Sequence, residues 1–545
     1  DGTLSDAQVL SNYLAEREAF QSIWSGTAGA WTDSADWVSN RVASAGGAAW
    51  IDNGGTPTLS SDLSLNFIYP YVGGLTIDGG AKLTSTMASS VNMGNGGAFT
   101  LALSSGTLSL PDSGGNILNI GANGGSGTAT LGGSGASAVL DVDQDIVVGK
   151  GSGSIGQLTV QNGGAAYCSN GWFYVADGVG SAGQVDVNAG TVGFRASGKG
   201  VIVSVNGGHG VVNVNGGQIN STDTIEWSLG TSSSGAYGAV NLNGGAIQAN
   251  AFFAVNTAGT NLLSFNGGTV KALTTRTDFL YNLTAAYVRA GGAKFDVPSN
   301  VTVTAAQPLL ADPGSTGGGL TKSGAGYLIL TGTNTFTGGI DLQAGGLWFR
   351  NSGGLLSGYA GTITMTNADA SIGYEKAGGA VELLSHLSTS SQGQIMLFGA
   401  NSADTIDFSS YPGLTLGMTG SFTYTGAYTP YASHYVFEPQ DAGNVYAAAI
   451  TGAASVEVNG TTDGVLELTG DSSYTGGTAL SGGTLIMSHV NALGDASSTI
   501  AISNGATLKL NAVGIPASFG QRITADSQGQ ILLGAACTNM VLNLN

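Results

Sequence analysis

Three aspartates, Asp141, Asp143 and Asp145, are the residues whose types and spacing come nearest to a reactive site. At every second position of one strand, they would project from the same face with about 7 Å between neighbours. Such a row predicts a Ca²⁺ site, or the acid and base of a polysaccharide-cleaving enzyme, which needs two carboxylates at a defined separation. Because Lys150 is the one basic residue nearby and no second carboxylate row accompanies them, solvated outward carboxylates are the favoured interpretation.

Other motifs that could carry chemistry are weak. GSGSIG at 151–156 and GVGSAG at 178–183 match the dinucleotide pattern G-x-G-x-x-G, but strand-like sequence follows each where that fold requires a helix. They are interpreted as repeat turns. The four histidines are scattered without metal-ligand spacing: His209, His386, His434 and His489. We therefore expect no catalytic residue, no cofactor and no metal, so that the protein is not an enzyme.

The two cysteines, Cys168 and Cys537, lie 369 positions apart. Two cysteines in a chain of this length do not form a disulfide framework. Buried free thiols are the favoured interpretation, and a bond between neighbouring molecules is the alternative.

The composition indicates an all-β protein with many tight turns. Glycine accounts for 92 of 545 residues, far above the usual share of about 7%, while 42% of the chain is apolar and 9% is charged. Disorder would require lower hydrophobicity, and collagen would require glycine at every third position. The net charge of -19 argues against a nucleic-acid partner, and no run of 18 apolar residues predicts a membrane span.

Five similar segments starting near Gly156 establish the repeat. GQLTV, GQVDV, GVVNV, GAVNL and NLLSF begin at Gly156, Gly183, Gly210, Gly238 and Asn261. Their apolar residues alternate with polar ones, and a glycine-bearing turn follows each segment. A strand and turn recurring every 23–28 residues predict a β-solenoid with one coil per repeat. At ~25 residues per coil, about 480 residues of the chain would form roughly 19 coils.

The N-terminal region differs from the repeats. Residues 5–22 have the apolar periodicity of a helix, with Ser5 and Gln8 as a capping box. Four of the seven tryptophans follow closely: Trp24, Trp31, Trp37 and Trp50. The favoured interpretation is a helix and aromatic cap over the open end of the solenoid. Tryptophans that stack on sugar rings are the alternative.

Residues 351–463 are less regular and rich in tyrosine. The tyrosines in question are Tyr424, Tyr428, Tyr431, Tyr435 and Tyr446. We interpret this region as coils with longer loops, and expect any ligand-binding surface here or near the N-terminus. The predicted organisation is a helix and cap over 1–55, regular coils over 56–312, irregular coils over 313–530 and a C-terminal strand over 531–545.

One motif occurs twice, at 321–349 and 465–487, with a constant offset of 138 residues. Each copy alternates apolar and polar residues, passes through Thr-Gly-Gly and alternates again, which predicts two strands joined by a bend. Lys322, Ser323, Gly324 and Gly326 lead into the first copy only. The two copies resemble the autotransporter-associated β-strand repeat of bacterial surface and secreted proteins. This resemblance implies a right-handed parallel β-helix outside the cell, with a structural role for the repeat.

The resulting hypothesis is a secreted structural protein that polymerises head to tail, with itself as its partner. The residues expected at the subunit contact are Trp24, Trp31, Trp37, Val541, Leu542 and Leu544. One alternative is an adhesin that binds cell-surface or matrix glycans through aromatic loops. The other is a polysaccharide lyase or hydrolase on the same fold.

Overall fold

The computed structural model describes residues 21–86, 90–111, 117–133, 135–196, 198–222, 225–231, 235–350 and 359–537, without the side chains of Ala517 and Gln521. The chain forms two compact units. The first comprises Asp1–Asp296 and Val303–Gly318, and the second comprises Val297–Thr302 and Gly319–Asn545. Each unit is a stack of short parallel strands.

The first unit carries three long parallel ladders and one short one. The first long ladder contains β2 (Ala28–Ala30), β4 (Thr56–Leu59), β7 (Gly73–Ile77), β10 (Ala98–Leu103), β13 (Ser126–Leu131), β16 (Ile155–Val160), β19 (Ala182–Val187), β22 (His209–Val214), β25 (Tyr237–Leu242), β28 (Thr260–Phe265), β31 (Ala285–Val288) and β34 (Leu309–Ala311). The second contains β5 (Leu63–Leu65), β8 (Lys82–Ser85), β11 (Thr107–Leu110), β14 (Ala138–Val142), β17 (Gly164–Cys168), β20 (Thr191–Phe194), β23 (Gln218–Ser221), β26 (Ala246–Ala249), β29 (Thr269–Ala272) and β32 (Ala293–Asp296). The third contains β9 (Val91–Asn95), β12 (Leu118–Ala122), β15 (Ile146–Lys150), β18 (Phe173–Asp177), β21 (Lys199–Ile202), β24 (Ile225–Ser228), β27 (Ala251–Phe253), β30 (Arg276–Tyr281) and β33 (Thr302–Ala305). The short ladder contains β1 (Ser22–Ile23), β3 (Ala48–Ile51) and β6 (Phe67–Pro70).

The second unit is also built from ladders of short parallel strands. The longest contains β36 (Tyr327–Leu330), β38 (Gly346–Phe349), β40 (Ser371–Tyr374), β41 (Gln392–Leu397), β43 (Gly413–Met418), β46 (His434–Pro439), β48 (Ser455–Asn459), β50 (Thr478–Gly482), β52 (Ile500–Ile502) and β54 (Ile523–Ala525). Another contains β44 (Phe422–Tyr424), β47 (Asn444–Tyr446), β49 (Val465–Leu468), β51 (Thr484–Met487), β53 (Thr507–Leu510) and β55 (Gln530–Leu533). The remaining strands are β35 (Leu320–Ser323), β37 (Ile340–Leu342), β39 (Ile363–Met365) and the pair β42 (Ile406–Asp407) and β45 (Tyr428–Thr429).

The predicted register of the repeat is confirmed residue by residue. Gly156, Gly183, Gly210, Gly238 and Asn261 are successive partners across β16, β19, β22, β25 and β28. The apolar positions two residues later in each strand form one buried column, with exposures between 0% and 1%. Alternation therefore places apolar side chains inside and polar ones outside, and stacking repeats that choice in every coil.

Helical structure is sparse in the described residues. Their one α-helix, α1 (Gly379–His386), buries Leu383 and Leu384 and was not predicted from the sequence. The helix predicted over 5–22 falls almost wholly outside the described residues, and Ser22 itself begins β1. The all-β parallel solenoid is confirmed, while its right-handedness remains a prediction.

Candidate functional site

The two motif copies have the same local structure. In the first copy β36 pairs with β38, so that Leu328 lies opposite Leu347. In the second copy β49 pairs with β51, and Leu466 lies opposite Leu485. The two strands of each pair are therefore successive rungs of one ladder. The Thr-Gly-Gly segment and a further strand on another ladder, β37 or β50, lie between them, so this part of each copy forms three strands where two were predicted.

A glycine immediately precedes the last strand of each copy for a steric reason. Gly345 and Gly483 adopt φ values of +66° and +69°, in the left-handed region. A Cβ on Gly345 would also lie 2.2 Å from the carbonyl oxygen of Gly326 in the preceding rung. The motif thus encodes close stacking of turns, which is a structural role.

Lys322, in the lead-in to the first copy, is fully buried at 0% exposure. Its ammonium donates hydrogen bonds to the carbonyl oxygens of Ser323, Gly324 and Ala344, at 2.8, 2.7 and 3.1 Å. Three oxygens of two turns one coil apart therefore converge on one cation, which offsets the cost of burying it. In the second copy Gly460 occupies the equivalent position, and its backbone N–H donates to Gly482.

The three aspartates do not share one strand face, so that prediction was wrong. Asp141 belongs to β14, but the chain turns after Val142, and Asp145 precedes β15 on another ladder. Their partners are also separate. Arg195 Nη1 donates to Asp141 at 2.8 Å, Asn170 Nδ2 to Asp143 at 2.6 Å, and the Trp172 backbone N–H to Asp145 at 2.7 Å. Asp143 and Asp145 therefore tie their coil to the next one, and Asp141 ties it to the coil after that.

The tyrosine-rich region is largely core, contrary to its interpretation as a loop surface. Tyr424, Tyr428 and Tyr446 are 0%, 6% and 2% exposed. Burial raises the pKa of each phenol above its usual range. Tyr431, at 46% exposed, is the clear outward member. Tyr424, Tyr428 and Tyr446 therefore belong to the interior of their coils and offer little surface for a ligand.

A polar row of His434, Ser455 and Glu457 crosses β46 and β48 in the second unit. Ser455 Oγ lies 2.8 Å from His434 Nδ1, and Glu457 Oε2 lies 3.2 Å from His434 Nε2. Hydroxyl, imidazole and carboxylate are the groups of a nucleophilic triad. Here they lie on the outer face of a ladder with the His434 side chain 45% exposed, and we interpret them as a surface hydrogen-bonded row. Sequence reasoning missed it because partners one coil apart are 21–23 residues apart in the chain.

The glycine motifs and the cysteines can be compared directly with the structure. Strands β16 and β19 begin in the last two residues of the two G-x-G-x-x-G matches, so that strand and not helix follows each match, as predicted. Both cysteines are free and buried, at 1% and 8% exposure. Among the described residues, no group of three His, Cys, Asp or Glu is arranged to hold a metal.

The tryptophans expected at a subunit contact lie inside the N-terminal coils. Trp24, Trp31 and Trp37 are 0%, 3% and 2% exposed, and Trp37 packs edge-on against the other two with ring centroids 5.3 and 5.0 Å apart. The other expected contacts, Val541, Leu542 and Leu544, lie outside the described residues. The subunit-contact assignment stays a prediction.

Strand β55 has an exposed edge. It pairs with β53 on one side, and no strand of the described chain pairs with its other side. Leu532 and Leu533 are 49% and 51% exposed. No helix within the described ranges is long and apolar enough to cross a membrane.

Comparison with known proteins gives one family match. The passenger-associated-transport-repeat model matches residues 320–348 and 463–487, which are the two motif copies. No curated protein and no solved structure matches the chain. The identification of a transport-associated repeat on a parallel solenoid is therefore confirmed.

Proposed function

We propose that this chain, a β-helix of the autotransporter passenger type with two transport repeats, is an extracellular structural protein. In this proposal it assembles with further copies of itself. The passenger-type repeat supports a secreted or surface location. The in-register stack supports the structural role, because each coil uses its backbone groups and its apolar column to bind its neighbours. In this proposal the protein carries out no catalysis.

Strand β55 is the observation that supports self-assembly. An unpaired edge offers a row of backbone donors and acceptors to a strand from another chain. Leu532 and Leu533 add exposed apolar surface, and burying it against a second chain would favour association. We propose that a strand of a second copy adds to this edge, in a heterologous contact that can repeat.

The assembly test uses light scattering after size exclusion, together with negative-stain microscopy. The chain is expected to form oligomers or filaments that Leu532→Lys shifts towards monomer, because an edge lysine opposes strand addition. Val513→Lys is the matched control, since Val513 is an exposed apolar residue outside any strand, at 80% exposure. A wild-type protein that stays monomeric, or equal loss of assembly in both variants, would contradict the proposed contact.

The location is tested separately. Antibodies against the chain should label intact cells of the source organism, or detect the protein in the medium. Signal that appears only after lysis would refute an extracellular role, whatever the state of assembly.

A further inference from the structure

A cavity of about 300 Å³ opens on the outer face of the third ladder of the first unit. We call it the Asn119 basin. The side chains that matter to its chemistry are Asn119, Asp145, Val147, Lys150, Tyr174 and Asp177. Its volume is at the small end of the range for small-molecule sites, about 300–1,000 Å³.

Asn119 carries a buried acceptor without a partner. The residue is 5% exposed, and its Nδ2 donates to Asn92 Oδ1 at 2.6 Å. Its own Oδ1 is buried and accepts no hydrogen bond in the described part of the chain. Such a group is costly to leave unmet, typically by about 1–3 kcal/mol, so a donor from a ligand would be favoured there.

The stacking pattern explains why this oxygen is unmet. In the first ladder of the same unit, Asn241 Nδ2 donates to Asn213 Oδ1 at 2.9 Å, and Asn213 Nδ2 in turn donates to Asp186 at 2.8 Å. In the third ladder the coil after Asn119 places Val147 at the matching position. The row of amides therefore stops at the basin, with an acceptor on its last member and an apolar side chain beyond it.

The remaining groups supply donors and acceptors around Val147. Lys150 Nζ is hydrogen-bonded to Asp177, and Asn206 Nδ2 donates to the other oxygen of Asp177 at 3.0 Å. An ammonium has three protons, so Lys150 keeps donors for a ligand. Burial, followed by the charges of Asp145 and Asp177, raises the pKa of Tyr174. The phenol therefore keeps its proton at neutral pH and can donate as well as accept.

We propose that the Asn119 basin binds a neutral, hydroxyl-rich saccharide. Each sugar hydroxyl both donates and accepts, which suits a cleft lined by the carboxylates of Asp145 and Asp177, the Lys150 ammonium and the Tyr174 hydroxyl. Two carboxylates and one ammonium leave one excess negative charge, which disfavours uronates and other acidic sugars. This role goes beyond the structural one and does not depend on assembly.

Saturation-transfer NMR on the whole chain tests the proposal with two sets of probes. The first set is neutral disaccharides of hexoses and N-acetylhexosamines, and the second is the same disaccharides with a uronate in place of one ring. We expect transfer to at least one neutral sugar and weaker transfer to its uronate form. No transfer to any neutral sugar at about 10 mM, well above the range of useful affinities, would overturn the proposal, as would preference for the uronates.

Three variants assign the binding to the basin. Tyr174→Phe removes one hydroxyl and should weaken binding by about 2- to 10-fold, the effect of one hydrogen bond, and Asn119→Leu should weaken it at least as much. Tyr167→Phe is the control, because Tyr167 lies on β17, a strand of the second ladder, and does not line the basin. The guanidinium carbon of Arg195 lies 4.1 Å from the centroid of its ring. Wild-type affinity in Tyr174→Phe and Asn119→Leu, or binding abolished by EDTA, would refute this site.

Discussion

We predict that the Lys322 side chain stabilises the turn before β36 in the first motif copy, because its buried ammonium donates hydrogen bonds to three backbone carbonyls. Lys322→Met keeps most of the stem volume and removes the cation. The Ser323 carbonyl keeps a donor, since the Val297 backbone N–H also binds it at 3.0 Å. The carbonyl oxygens of Gly324 and Ala344 lose the hydrogen bonds from the ammonium.

The expected cost follows from those two oxygens. A carbonyl left without a donor costs about 1–3 kcal/mol, and water can reach these half-buried turns, so the lower value applies to each. The variant also avoids burying a charge, which opposes the loss and is a second reason to take the lower value for each carbonyl. We expect the local stability around residues 320–348 to fall by about 2 kcal/mol, which is a change of about 30-fold in local opening.

Hydrogen exchange with mass spectrometry measures this opening directly. Peptides that cover β36 to β38 should exchange about 30-fold faster in Lys322→Met, while those from the second copy, where Gly460 replaces the lysine, should not change. Lys509→Met is the matched control, because Lys509 lies outward on β53 in the same unit. If the two variants exchanged at similar rates in this region, the ammonium would not be stabilising the turns and the reasoning would fail.

Two further predictions concern buried titratable groups. Burial raises the pKa of Glu438 against opposing hydrogen bonds from Thr415 and Gln394, so the native state holds this proton more tightly than the unfolded state. The free energy of unfolding should therefore fall as the pH rises from about 4.3, the ordinary glutamate value, through the raised pKa. Urea titrations at several pH values measure this dependence, and Glu438→Gln should make it weaker. An unchanged pH dependence in the variant would contradict the prediction. Burial also raises the pKa of Cys168 above its usual range, so iodoacetamide should modify it only after unfolding, and rapid labelling of the native protein would show that the coil opens.

The regular coils were predictable because stacking preserves position. A one-residue shift would move every side chain of a strand to the other face, so the polar and apolar alternation from Gly156 onward specifies both the faces and the register. The same logic applies to Tyr424 and Tyr446, which are partners across β44 and β47 and lie 22 residues apart. A spacing of one coil indicates that the two tyrosines occupy the same position in successive coils and are buried together. The interpretation as coils with longer loops did not use that spacing.

The aspartate row failed for a different reason. Alternation does not mark where a strand ends, and Asp141 to Asp145 alternate through a corner between two ladders. The corner becomes visible only from the next coil, where a Cβ on Gly171 would lie 2.1 Å from the backbone of Gln144. The residue that reveals the corner, Gly171, therefore lies 27 positions after Gln144, and a pattern read over a few neighbouring residues cannot show it.

A ligand site on such a fold is best sought where the stacking pattern fails. Along a regular row each outward amide finds its partners in the coils before and after, as Asn215 does between Asn188 and Asn243, at 2.8 and 2.9 Å. Such a row is already satisfied and gains little from a ligand. At Asn119 the row ends against Val147, and a buried oxygen has no donor among the residues that the structure describes. Because adjacency in a solenoid follows the coil length, comparing residues 21–28 positions apart would locate such interruptions from sequence alone, whereas motif searches along the chain would not.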